Sequence, residues 1–427
     1  MKRIAFFTLL LASLALFLLL VAAPRPDRPA GQGQSPLLAM GPAEQLAGAT
    51  ASPQPAATVK ATVPPAPTET APSPAASATT ATASPTPVAT PLPAETASPF
   101  ATAAASPAPS PAPSITPTPL HPLSIAALRR GHYPGSELVA EETLTPGAGY
   151  NRYIASYQSD GLTLYGLLTV PTGDPPAEGW PAIIINHGYI PSYEYDTAET
   201  YKAHADGFAR HQYVVFVPDY RGHANSEGTA TAAYGSPDYT VDVLNALASL
   251  KQHPAVDPGR IGMFGHSLGG YITLRVMVAR DDIQAGVIWA GVVSPYSDFY
   301  YGLERRFGNR PTPTPGADRL IRRRWWQTLA ETYGTPAENP AFWDEISANT
   351  FLEDISGPLQ LHHGTADEVV PVAYSETLKE QMDELHRYAA LNLYEGDDHN
   401  LTQSFTPAMI TSISFFDRYV KGTGAGS

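Results

Sequence analysis

The 427-residue chain contains no cysteine. That excludes a thiol nucleophile, disulfides and thiolate metal sites together. It is also poor in cations, with 26 Lys and Arg against 40 Asp and Glu and a formal net charge of −14. An acidic chain without a basic stripe does not fit nucleic-acid binding or tight attachment to anionic lipid. No repeat of solenoid or propeller period is visible. His362 and His363 form a pair, but no second group of His, Asp and Glu at ligand spacing accompanies them, so both are read as structural and neither a metal nor a cofactor is expected.

What is present divides unevenly. Lys2 and Arg3 precede an uncharged, Leu- and Phe-rich run from Ile4 to Ala23, long enough to cross a bilayer core. Val21-Ala22-Ala23 would suit a signal peptidase, but Pro24 follows directly, which favours an uncleaved signal anchor over a cleaved signal peptide for residues 1–23. With the two cations held inside, the rest of the chain would lie outside the cytoplasm. Membrane contact is expected through this segment alone.

Residues 24–120 are dominated by Pro, Ala, Ser and Thr and cannot bury enough apolar surface to offset their ordering entropy. Such a tether would span about 55 Å as a coil and nearly 300 Å, roughly, as extended polyproline II. Residues 1–120 carry five basic and four acidic residues, a net +1, so the remainder carries −15. The acidity belongs to the folded part, expected over 121–427.

That part alternates strand and helix. Apolar, β-prone segments occur at 162–170, 182–186, 213–217, 260–264, 285–289, 359–362 and 389–394. Helical spacing lies between them at 197–210, 241–250 and 271–279. The alternation implies an α/β fold with a mostly parallel sheet flanked by helices. Residues 294–356 break the rhythm with helical and Pro-rich character, and are read as an inserted helical cap. Its Arg319-to-Trp326 segment reads as an exposed amphipathic helix with snorkelling arginines, the alternative being a site for a substrate carboxylate or aromatic ring.

Gly265-His266-Ser267-Leu268-Gly269 satisfies G-x-S-x-G, directly after an apolar strand and before a helical run. The glycines permit a tight strand-to-helix turn that pushes the Ser267 hydroxyl out above the sheet. A serine hydroxyl needs a base, and that base needs a carboxylate, in the chain order Ser, acid, His. Asp367 and His399 each follow a strand in that order. His399 is the one loop histidine after both partners, since His386 lies in a helical pattern; Glu368 and Glu395 are alternatives to Asp367. Donors for an oxyanion are expected from the backbone N–H of Leu268 and, in the loop after the 182–186 strand, of Tyr189.

The segment Asp257 to Tyr271 resembles the nucleophile region of the prolyl oligopeptidase (S9-type) family of serine peptidases. His363 to Pro371 is similar to that family's acid segment, and Glu395-Gly396-Asp397-Asp398-His399 to its histidine segment. Asp219-Tyr220-Arg221-Gly222-His223 is a common α/β-hydrolase loop. The resemblance covers roughly 153–420 and implies the α/β-hydrolase fold with peptidase activity. Peptide-cleaving members usually carry a β-propeller before the hydrolase domain, where this chain has the tether, and the long insertion after Trp289 is not part of the resemblance. The expected function is therefore a serine hydrolase cleaving small peptides or esters through an acyl-enzyme. A carboxylesterase is the second reading and a non-catalytic surface binding module the third. The sequence leaves the oligomeric state open.

Overall fold

The computed structural model describes residues 119–230, 234–307 and 325–422. The leader and all but the last two residues of the Pro-rich tract lie outside the described residues.

The elements in chain order are α1 (Ile125–Arg130), β1 (Val139–Gly147), β2 (Tyr150–Ser159), β3 (Leu162–Pro171), β4 (Trp180–Asn186), α2 (Lys202–Ala209), β5 (Val214–Pro218), α3 (Asp238–Lys251), β6 (Val256–His266) and α4 (Leu268–Ala279). They continue with β7 (Ala285–Trp289), α5 (Tyr296–Phe307), α6 (Trp325–Tyr333), α7 (Pro340–Ile346), a 3-10 turn (Ala348–Asp354), β8 (Leu359–Gly364), α8 (Ala373–Glu384), β9 (Ala389–Tyr394) and α9 (Phe405–Tyr419).

One nine-stranded sheet runs β1-β2-β3-β5-β4-β6-β7-β8-β9. The β1–β2, β2–β3 and β3–β5 pairs are antiparallel and the five remaining pairs are parallel. The central strand β4 is buried along its whole length, as its unbroken apolar run implied. Ile183 and Ile185 pack on one face with Phe208 of α2 and Phe416 of α9, whereas Ala182 and Ile184 pack on the other with residues of α3 and α4. Each fully buried isoleucine contributes about 2 kcal/mol of transfer free energy. The sheet is thus held by two cores, and its helices cover both faces.

All seven strands read from the sequence are present, with ends shifted by a few residues. Strands β1 and β2 were not legible, and β1 is almost wholly exposed, so it has no apolar face to produce an alternating pattern. The helix expected from Thr197 starts only at Lys202. The Asp196 carboxylate accepts the Ala198 and Glu199 N–H groups and closes a turn there instead. His386 lies just past the end of α8, with a positive φ of 54°.

Between β7 and β8 the described residues form α5, α6, α7 and the 3-10 turn, with no strand. Of the segment expected as an exposed amphipathic helix, Trp325 and Trp326 are described: Trp326 is buried and Trp325 packs against Tyr234, Tyr296 and Phe299. The arginines that precede them lie outside the described residues. Arg275 of α4 ties this region to the sheet: fully buried, it donates from Nη1 to the Ile346 carbonyl at 2.6 Å and from Nη2 to the Leu123 carbonyl.

Candidate active site

Strand β6 delivers the chain to Ser267, whose backbone sits at φ 55°, ψ −116° before α4 begins at Leu268. A side chain costs energy in this region, so the surrounding structure must hold it. The Ser267 N–H donates to the Trp289 carbonyl at 2.9 Å, and its carbonyl accepts the Gly270 and Val292 N–H groups at 3.0 and 3.1 Å. The turn also needs two bare Cα atoms. A methyl on Gly265 would fall 2.3 Å from the Gly269 carbonyl oxygen, and one on Gly269 would fall 1.9 Å from that of Asn186. G-x-S-x-G is therefore a packing requirement here as well as a motif.

Asp367 follows β8, and its side chain is fully shielded from solvent. Its Oδ1 accepts the Val369 and Val370 N–H groups at 2.7 and 2.9 Å, while Oδ2 meets His399 Nδ1 at 2.7 Å and His363 Nε2 at 3.1 Å. Burial alone would raise its pKa, but the hydrogen bonds from His363, His399 and Val370 hold the carboxyl well below the ordinary range. It stays ionised and can accept the Nδ1 proton of His399. His363, read from the sequence as structural, is a second support of this carboxylate, with Nδ1 bonded to the Ser375 hydroxyl at 2.8 Å.

Ser267 and His399 line one cavity of about 500 Å³, together with Gly188, Tyr189, Ile190, Tyr201, His204 and Phe405 among others. The loop after β4 runs along its wall. A methyl on Gly188 would sit 3.3 Å from the Ser267 Cβ, so this loop passes directly beside the Ser267 turn. The Gly188 N–H donates to the Tyr201 hydroxyl at 2.8 Å, and Tyr189 is 69% exposed. Leu268 opens α4, in the first turn, where helix N–H groups have no intrahelical acceptor.

Beneath the loop, His187 stacks on Tyr220 with ring centroids 3.9 Å apart, and burial pushes its pKa down to about 3. The Tyr220 hydroxyl donates to the His187 carbonyl at 2.9 Å. Arg221 binds the buried Asp242 through Nε and Nη2, the latter at 2.6 Å, and so fixes the loop that begins at Asp219. Among the described residues, no group of three or more His, Cys, Asp or Glu could hold a metal ion.

The chain is a serine hydrolase of the α/β-hydrolase fold. Residues 180–314 match the family described as serine aminopeptidase, S33. An uncharacterized peptidase, YtmA, of Bacillus subtilis (strain 168) is 27% identical over 244 residues, which cover 57% of this chain and 84% of that protein. Dipeptidyl peptidase 8 of Mus musculus is 28% identical over 169 residues, covering 37% of this chain and 18% of that one. The solved acetyl xylan esterase from Paenibacillus sp. R4 superposes with a TM-score of 0.50 at 16% identity, covering 68% of this chain and 92% of that one, a likeness of fold. The resemblance to S9-type serine peptidases read from the motifs stands with these relatives.

Proposed function

We propose that this serine hydrolase is a peptidase of the prolyl oligopeptidase-like kind, with Ser267 as nucleophile, His399 as base and then acid, and Asp367 as the carboxylate that orients it. The observation that carries the reading is the 2.7 Å bond from His399 to the ionised Asp367, on the wall of the cavity that Ser267 lines.

In this mechanism the Ser267 Oγ attacks the scissile carbonyl carbon while His399 Nε2 takes the hydroxyl proton. Asp367 holds the Nδ1–H and stabilises the imidazolium. The carbonyl oxygen becomes an oxyanion held by the N–H groups of Leu268 and Tyr189. The Gly188 N–H is bonded to the Tyr201 hydroxyl, which supports the choice of Tyr189 as the loop's donor. As the intermediate collapses, His399 returns the proton to the leaving amine or alcohol. Water, deprotonated by the same imidazole, then releases the acyl group and restores Ser267. No step draws on a cofactor.

The peptide label is supported by the acid and histidine segments and by the likeness to YtmA. The carboxylesterase reading shares every step, since an ester passes through the same acyl-enzyme. A fluorophosphonate probe tests the common core: labelling is expected in wild type and lost in Ser267→Ala. A panel of p-nitrophenyl acyl esters against aminoacyl and prolyl p-nitroanilides then tests the label, which fails if only the esters turn over. We further propose that the hydrolase domain lies outside the cytoplasm, tethered by residues 24–120 to a membrane-anchored leader. N-terminal sequencing of the mature protein checks it, with a start after Ala23 pointing to secretion.

A further inference from the structure

Three hydrogen bonds cross the floor of the cavity in sequence. The Gly188 N–H lies 2.8 Å from the Tyr201 hydroxyl oxygen, that oxygen lies 2.6 Å from His266 Nδ1, and His266 Nε2 lies 3.0 Å from the His399 carbonyl oxygen. The chain begins in the loop expected to bind the oxyanion, passes through Tyr201, the residue just before α2, and through His266, and ends in the backbone of the proposed base.

The chemistry allows one arrangement of its protons. The His399 carbonyl can only accept, so His266 carries its proton on Nε2. Burial, with the neighbouring His399 adding to it, pushes the His266 pKa down to about 4, against a raising effect from the His399 carbonyl and Asp367. The ring is therefore neutral at pH 7 and its Nδ1 is a bare acceptor. The Tyr201 hydroxyl, whose pKa burial pushes up, keeps its proton and gives it to that nitrogen. The phenol oxygen is left free to accept from Gly188. Every donor is matched to one acceptor inside a buried network, where such bonds reinforce one another.

We propose that Tyr201 and His266 are positioning residues, a hydrogen-bonded relay that fixes the oxyanion-binding loop and the His399 loop in register across Ser267. Neither side chain would touch the reacting atoms. His266 occupies the variable position of G-x-S-x-G, and this assignment gives that position a function: it measures the distance between the two loops that the serine must serve at once. The proposal rests on the reading of Ser267 and His399 as nucleophile and base.

The test uses the full chain, with kcat expressed per fluorophosphonate-titrated site so that unfolded protein does not count. Tyr201→Phe keeps the ring and removes the hydroxyl. His266→Leu keeps bulk and removes both nitrogens. His266→Gln supplies an amide that can accept from Tyr201 and donate to His399. On a p-nitrophenyl ester, the first two variants should lose about 10- to 100-fold in kcat with KM little changed, the cost of a misplaced catalytic group. His266→Gln should recover most of that loss, and the Tyr201→Phe/His266→Leu double variant should be no worse than the poorer single, because both cut one chain. Full kcat in Tyr201→Phe and His266→Leu, multiplying losses in the double variant, or no rescue by Gln would each overturn the relay. If Ser267→Ala itself kept turnover, the nucleophile reading would fall instead and the relay with it.

Discussion

The Oδ2 atom of Asp367 lies 2.7 Å from His399 Nδ1 while the same oxygen also meets His363 at 3.1 Å. One carboxylate thus ties the proposed base to a second, fully buried histidine on β8. Asp367→Asn should lower kcat on the order of ten-thousand-fold by removing the acceptor that selects the His399 tautomer. Steady-state kinetics on an activated ester, beside an unchanged circular dichroism spectrum, checks it; a loss under tenfold would remove Asp367 from the mechanism.

Gly269→Ala probes the nucleophile turn. Its methyl would meet the Asn186 backbone oxygen at 1.9 Å, which no side-chain movement can relieve. A destabilisation of about 1–3 kcal/mol is expected, as for other overpacked sites. It should come with slower fluorophosphonate labelling, and urea denaturation measures the first effect while a labelling time course measures the second.

Arg275→Met tests the tie between α4, the insertion and the N-terminal segment. The carbonyls of Ile346 and Leu123 would each lose a buried donor, at about 1–3 kcal/mol apiece. Stability should fall accordingly, while the labelling rate of the folded protein stays close to wild type. A melting temperature equal to wild type would contradict this account.

Asp219 gives a pH signature. Burial raises its pKa to about 7, against the hydrogen bonds from Thr197 and Tyr195 that lower it, whereas an unfolded chain titrates this carboxyl near its ordinary value of 3.8. From pH 4 to pH 7 the folded protein keeps a proton that the unfolded chain has released, so this residue's contribution to stability falls as pH rises and levels off above about 7. The window of about three units corresponds to roughly 4 kcal/mol. Asp219→Asn removes the titration. Urea denaturation of both proteins at several pH values isolates it, because the buried histidines titrate in each; a wild-type minus variant difference that ignores pH would refute it.

The parts legible in the sequence were those whose signal is local. Strand β4 announced itself by an apolar run, and Ser267 by a five-residue turn whose two glycines answer a backbone contact. Asp367 and His399, proposed from chain order, follow β8 and β9 and are bonded to each other. Tyr201 was missed because its partners lie 13 and 65 residues away and no spacing rule connects them. His363 looked structural because a histidine that braces a carboxylate has the same sequence as one that merely fills a core.

The backbone of Ser267, held at φ 55° between β6 and α4, has a consequence for how this enzyme can be assayed. A conformation that the residue would not adopt alone exists only while both flanking elements are docked. Reactivity at that hydroxyl is therefore a gauge of the intact fold, and on heating the covalent labelling of Ser267 should vanish along the same curve as the tertiary structure, with no inactive folded state between.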